Sequence, residues 1–124
     1  MTATTVLSWA GVMLIGGIGS VLRFMVDRTV ARRLARSFPF GTLTVNISGA
    51  ALLGFLGSLA LSKEAALLAG TAFVGAYTTF STWMLETQRL GEERRTWAAA
   101  ANIVVSVVLG IAAAFLGQWV AEQL

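Results

Sequence analysis

Charged residues divide this chain into long apolar runs. None falls at positions 1–22, 37–62, 65–85 or 96–121, and each run is 21 to 26 residues long. A helix needs about 20 predominantly apolar residues to cross the hydrocarbon core of a bilayer. The pattern therefore predicts an all-α membrane protein: four transmembrane helices in a single domain over residues 1–124. The first helix is expected from about Val6 to Phe24, the second from near Gly41, the third through 65–85, and the fourth from Trp97 to Val120. Between the first two lies "DRTVARRLARSFPF". Val30, Leu34 and Phe38 fall on one side of it and Arg28, Arg32 and Arg36 on another. That reads as a separate basic amphipathic segment in the headgroup region, stopped by Pro39, the only proline.

Composition sharpens this picture. The chain is 56% hydrophobic and only 12% charged, more apolar surface than a soluble domain of 124 residues can bury. The first run lacks a basic start and leads through Gly16, Gly17 and Gly19 directly to Arg23, so it reads as a span rather than a cleavable leader. There is no cysteine and no histidine, which removes thiol chemistry, the usual general base and the commonest metal ligand. An enzyme is not expected. The net charge of +3 points to topology and anionic lipid rather than nucleic acid, because the arginines sit at span ends.

The apolar runs are interrupted by a patterned set of polar groups. Thr42 and Asn46 share a face of the second helix. Asn102, Ser106 and Gly110 recur every four residues on the fourth. The third carries "GAYTTFSTWMLE", with Thr78, Thr79, Ser81 and Thr82 around Phe80 and Gly75 just upstream. Polar side chains in hydrocarbon face protein or a water-filled path. Two readings stay open at this level: hydrogen-bonded glue between helices, or a lined pathway. Amides and hydroxyls without acids suit a small anion. The glycine and hydroxyl run predicts a third helix broken near its middle, whose free carbonyl and N–H ends form ion sites. Phe80 and Trp83, three apart, offer positive ring edges to an anion. Glu86 is the only candidate for a membrane-embedded carboxylate, and it sits at the end of the third helix.

The stretches "GGIGSVLRF", "GTLTVNISGAALLG", "GAYTTFSTWMLE" and "NIVVSVVLG", in this order, resemble the Fluc (CrcB) fluoride channel family over nearly the whole chain. The resemblance implies passive, fluoride-selective channels that export cytoplasmic fluoride across the cell (inner or plasma) membrane. It implies antiparallel, dual-topology dimers with two pores, and a structural sodium ion (Na+) at the dimer centre. By position, Asn46 matches the pore asparagine and Phe80 the first phenylalanine of an aromatic pair. Gly75 and Thr78 match the carbonyls that hold sodium. Thr79 and Ser81 bring hydroxyls near the pore, Ser106 belongs to a polar track, and Arg23 closes the first motif near a vestibule. Three positions depart from the pattern: Trp83 stands for the second phenylalanine, Asn102 where some members carry tyrosine, and Ala51 for a frequent aromatic.

Charge bias bears on assembly. With four spans, Lys63 lies on one side, and Arg23, Arg28, Arg32, Arg33, Arg36, Arg89, Arg94 and Arg95 on the other. A homodimer of antiparallel subunits needs one sequence to insert both ways, which goes with weak bias. The expected partner is a second, inverted copy, with a heterodimer formed with an oppositely oriented paralogue as the other arrangement. The competing function is a small four-helix drug or cation exporter, which would require an acid that the first run lacks. A purely structural membrane protein is a third reading.

Overall fold

The structure, a computed structural model, describes residues 2–124. It is helical, with no strand among the described residues. The helices are α1 (Ala3–Leu34), α2 (Phe40–Gly57), α3 (Lys63–Ala66), a π-helical segment (Leu67–Val74), α4 (Gly75–Tyr77), α5 (Ser81–Glu92) and α6 (Thr96–Glu122). Three of them, α1, α2 and α6, are long and apolar enough to cross a membrane. The expected third span is built from pieces, so no single unbroken helix there reaches that length.

One expectation is corrected. The first helix and the basic amphipathic segment are a single helix of 32 residues. Nothing between Phe24 and Leu34 breaks a helix: the run is Met, Val, Asp, Arg, Thr, Val, Ala, Arg and Arg, without glycine or proline. At 1.5 Å per residue such a helix is about 48 Å long, longer than a hydrocarbon core of about 30 Å. Arg28, Arg32 and Arg33 therefore sit on turns that outrun the apolar layer. Pro39 does not end this helix. Ala35 does, by entering the left-handed region at φ 45° while its N–H still bonds to the Ala31 carbonyl. At the other end the Thr2 hydroxyl caps the helix by accepting from the Thr5 N–H at 3.2 Å.

The two arginine-rich connections meet at one end of the bundle. Arg89 donates to the Ser37 carbonyl at 3.3 Å, and Arg95 donates to the Ser37 hydroxyl. At the opposite end Ser8 of α1 donates to Glu64, next to Lys63. Arg89 and Arg95 thus join the connection that holds Arg36 at one end of the bundle, with Lys63 at the other.

Little of the chain is buried, and apart from Tyr77, Leu90 and Asn102 most of what is buried is small. Met13, Leu14, Val21, Phe115 and Leu116 are exposed, as expected where lipid is the solvent. Helices in lipid associate through close packing of small residues rather than through a hydrophobic drive. The tightest pair is α2 with α6. A Cβ at Gly54 would collide with the Ala114 carbonyl, and one at Gly117 with the Ala51 carbonyl. This backbone-on-backbone contact fixes the α2 residue Asn46 relative to the α6 residue Ser106.

Candidate functional site

The helix break lies where the hydroxyl run predicts it. Tyr77 is the last residue of α4, Thr78 is extended at φ −81° and ψ 161°, and α5 begins at Ser81. A π-helical segment immediately upstream adds a second local irregularity, a form frequent at functional sites. Breaking a helix strands backbone donors and acceptors, each costly to bury unpaired.

Side chains recover several of these groups. Asn46 reaches across from α2 with both ends of its amide: Nδ2 donates to the Thr79 carbonyl at 2.9 Å, and Oδ1 accepts the Thr79 N–H at 2.8 Å. The Thr78 hydroxyl donates back at 2.9 Å to the Val74 carbonyl, which also accepts the Thr78 N–H, so that bond satisfies the hydroxyl itself. Thr79 Oγ1 accepts the Thr82 N–H at 3.3 Å and donates to Thr82 Oγ1 at 3.1 Å, so it caps the incoming α5. Arg23 of α1 donates through Nε to the Ala76 carbonyl at 3.3 Å, which places a cation against the C-terminal end of the upstream piece.

A cavity of about 300 Å³ opens beside this clamp. Asn46, Thr78, Thr79, Phe80, Trp83 and Ser106 line it, together with Gly49 and Gly110. No ionisable side chain does. Phe80 and Trp83 meet edge to face, with centroids 5.6 Å apart and planes at 88°. Phe80 is 69% exposed, so its ring stands at the surface of the single chain. The Ser106 hydroxyl oxygen is buried without a hydrogen-bond partner. An orphan polar atom on a cavity wall calls for a ligand or a water.

The other sequence-selected residues lie around this centre. Gly75 lines an adjoining cavity of about 380 Å³, to which Thr78 also belongs. The Thr79 N–H that a continuous helix would give to the Gly75 carbonyl goes to Asn46 instead. Among the described residues no group of three His, Cys, Asp or Glu could hold a metal, so carbonyls and hydroxyls are the donors available to a cation here. Ser81 is exposed and outside both cavities. Thr42 is 2% exposed and lies beside Glu86, and both Thr42 Oγ1 and Glu86 Oε1 are buried without a partner. Asn102 is 1% exposed and does not line the cavity; its side chain packs between α6 and α5.

The sequence did not single out Ser48 and Tyr77, whose hydroxyls bond at 2.9 Å and tie α2 to the end of α4. The available signal was that Tyr77, the only tyrosine, immediately precedes the threonine pair.

Comparison with known proteins bears on this arrangement. Residues 10–118 match the family model described as CrcB-like protein, Camphor Resistance (CrcB). The chain is similar to fluoride-specific ion channel FluC 2 of Mycobacterium bovis, 80% identical over 121 residues, covering 98% of this chain and 96% of that one. It is 40% identical over 122 residues to fluoride-specific ion channel FluC 1 of Streptomyces avermitilis, covering 95% and 98%. It is also 44% identical over 125 residues to fluoride-specific ion channel FluC of Methylococcus capsulatus, covering 95% of this chain and 54% of that relative.

Proposed function

We propose, since this chain belongs to the CrcB family, that it is a fluoride-selective channel through which cytoplasmic fluoride leaves passively. The family is one of ion channels, not enzymes, and the chain is a multi-pass membrane protein. The observation that carries the fluoride reading is the Asn46 clamp on the helix break, set in a cavity walled by an aromatic edge pair and the unpartnered Ser106 hydroxyl. Such a wall gives a dehydrating anion hydrogen-bond donors and positive ring edges without a fixed positive charge to trap it. Asn46, Thr79, Phe80, Trp83 and Ser106 form the path in this reading. Ser81 and Thr42 flank it, and Arg23 biases one mouth toward anions. A drug or cation exporter would need a carboxylate in the cavity, which has none.

Four spans result when α3, the π-helical segment, α4 and α5 together serve as the third crossing. The assembly proposed is an antiparallel homodimer with two pores. Its support is the unfinished surface at the break: Phe80, Gly75 and Thr71 are all exposed on the single chain. A central sodium ion fits the same place, with the Gly75 and Thr78 carbonyls as ligands. The diverted Thr79 N–H leaves the Gly75 carbonyl without its helical donor. A cation there would offset part of the cost of carrying negative charge through the membrane.

Purified protein in liposomes, with fluoride and chloride efflux followed by ion electrodes under an imposed potassium potential, tests this. Fast fluoride efflux with little chloride is expected. No fluoride flux from the chain alone, but flux with an oppositely inserted paralogue, would replace the homodimer by the heterodimer. No flux in either case would remove the fluoride reading. Within the same assay, Phe80→Ile keeps the bulk of the side chain but removes the ring edge. Its fluoride rate is expected to fall roughly fivefold, the scale of a lost aromatic edge interaction of about 1 kcal/mol, with the protein still folded.

A further inference from the structure

Trp83 and Asn102, two positions where the sequence departs from its family's pattern, turn out to be one structural unit. The Trp83 indole Nε1 donates to the Asn102 carbonyl at 3.0 Å. Asn102 Nδ2 donates to Thr87 Oγ1 at 2.9 Å and reaches the Trp83 carbonyl at 3.4 Å. The Thr87 hydroxyl donates to the same Trp83 carbonyl at 2.9 Å. One turn of α5 and one residue of α6 therefore close a ring of hydrogen bonds around a side chain that is 1% exposed.

The chemistry of an indole gives this ring a purpose. A tryptophan differs from a phenylalanine by carrying an N–H donor. A free donor on the wall of a dehydrated anion path would make a charge-assisted hydrogen bond, roughly twice as strong as a neutral one, and conduction needs binding weak enough for the ion to leave. The Asn102 carbonyl occupies that donor. Trp83 then presents only ring carbon to the cavity, where Phe80 meets it edge to face at 88°.

We propose that Asn102 is a positioning residue that sequesters the Trp83 indole N–H, so that tryptophan serves as a purely aromatic wall residue in the ion path. This places Asn102 behind the path rather than in it, and the inference rests on the fluoride reading above. The side chain acts through its bonds to Thr87 and the Trp83 carbonyl. Those bonds hold α6 at the distance where the Asn102 carbonyl meets the indole.

A double-mutant cycle in the liposome assay tests it, using Asn102→Ala, Trp83→Phe and the pair. Asn102→Ala is expected to lower fluoride efflux about tenfold where the indole is present, as expected when one charged-group hydrogen bond newly traps the ion. In the Trp83→Phe background, whatever its own rate, the same change is expected to cost less than about twofold, because no N–H remains to be freed. Equal losses in both backgrounds, or no loss in either, overturn the proposal and leave Asn102 as ordinary helix packing. A second readout is independent of flux. Deuterium exchange at the Trp83 indole N–H, followed by NMR with Trp9, Trp97 and Trp119 changed to Phe, should accelerate about tenfold or more in Asn102→Ala. Unchanged exchange also overturns the proposal. Should Asn102→Ala not fold, Thr87→Val removes the same anchor and both measurements are made with it. Fluoride-impermeable unaltered protein would count against the fluoride reading alone, while the exchange experiment still decides the lock.

Discussion

Asn46→Asp is expected to lower fluoride efflux at least about a hundredfold at neutral pH while leaving a folded protein. The substitution is nearly isosteric, so size does not explain the effect. Asn46 presently donates to the Thr79 carbonyl and accepts the Thr79 N–H. An aspartate keeps the acceptor and loses the donor, setting a carboxylate oxygen against the Thr79 carbonyl oxygen. It also puts a negative charge on the wall of a cavity proposed for an anion. Two unit charges 4 Å apart repel by about 4 kcal/mol at an effective dielectric near 20, which is why the expected loss is so large. The sign of the pH dependence follows from the same atoms. Protonation removes the charge and restores a donor toward Thr79, so flux should recover as pH falls, after subtraction of protein-free liposomes. Asn46→Ala loses both bonds without gaining charge, and the difference between the two variants isolates the charge. Wild-type flux through Asn46→Asp at neutral pH would remove Asn46 from the path.

Charge-free runs and hydroxyl spacing were enough to reveal the helical class, the place of the break and most of the cavity wall. Asn46 and Thr79 meet at the break because its stranded donors and acceptors need partners, and amides and hydroxyls are the partners that hydrocarbon tolerates; Thr78, Phe80, Trp83 and Ser106 complete the cavity wall beside them. Other features depend on facts that spacing does not carry. The continuity of α1 was hidden because a basic amphipathic stretch has the same pattern whether it lies along the headgroups or prolongs a span; only the absence of a breaker before Ala35 decides it. Asn102 shares the four-residue spacing of Ser106, yet only Ser106 reaches the cavity. One turn of α6 separates them, and α5 has covered that turn with the Trp83 ring. The eightfold arginine bias was visible at once. What it means for pairing depends on a partner surface, which no single chain contains.

Gly117→Ala is the substitution expected to damage folding most. The added methyl would not meet a side chain that could swing away. It would overlap the Ala51 carbonyl and crowd the Phe55 amide, both backbone. Gly54 meets the Ala114 backbone in the same way from the other helix, so the two glycines interlock α2 with α6. Relief requires the helices to part along a contact that has no hydrophobic drive to reclose it. Overpacking of this kind costs about 1–3 kcal/mol, a large part of the 5–15 kcal/mol that holds a typical domain together. The damage should also reach the site, since α2 carries Asn46 and α6 carries Ser106. Gly91→Ala is the control: nothing lies within 4 Å of its added methyl, and Ala in a helix is favoured over Gly by roughly 0.5–1 kcal/mol. Thermal unfolding in detergent, read by loss of the monodisperse peak on size exclusion, should rank Gly117→Ala and Gly54→Ala well below the unaltered protein and Gly91→Ala at or above it. Equal midpoints for all four would mean that α2 and α6 are not held by backbone contact, and the geometry that positions Asn46 against the break would need another origin.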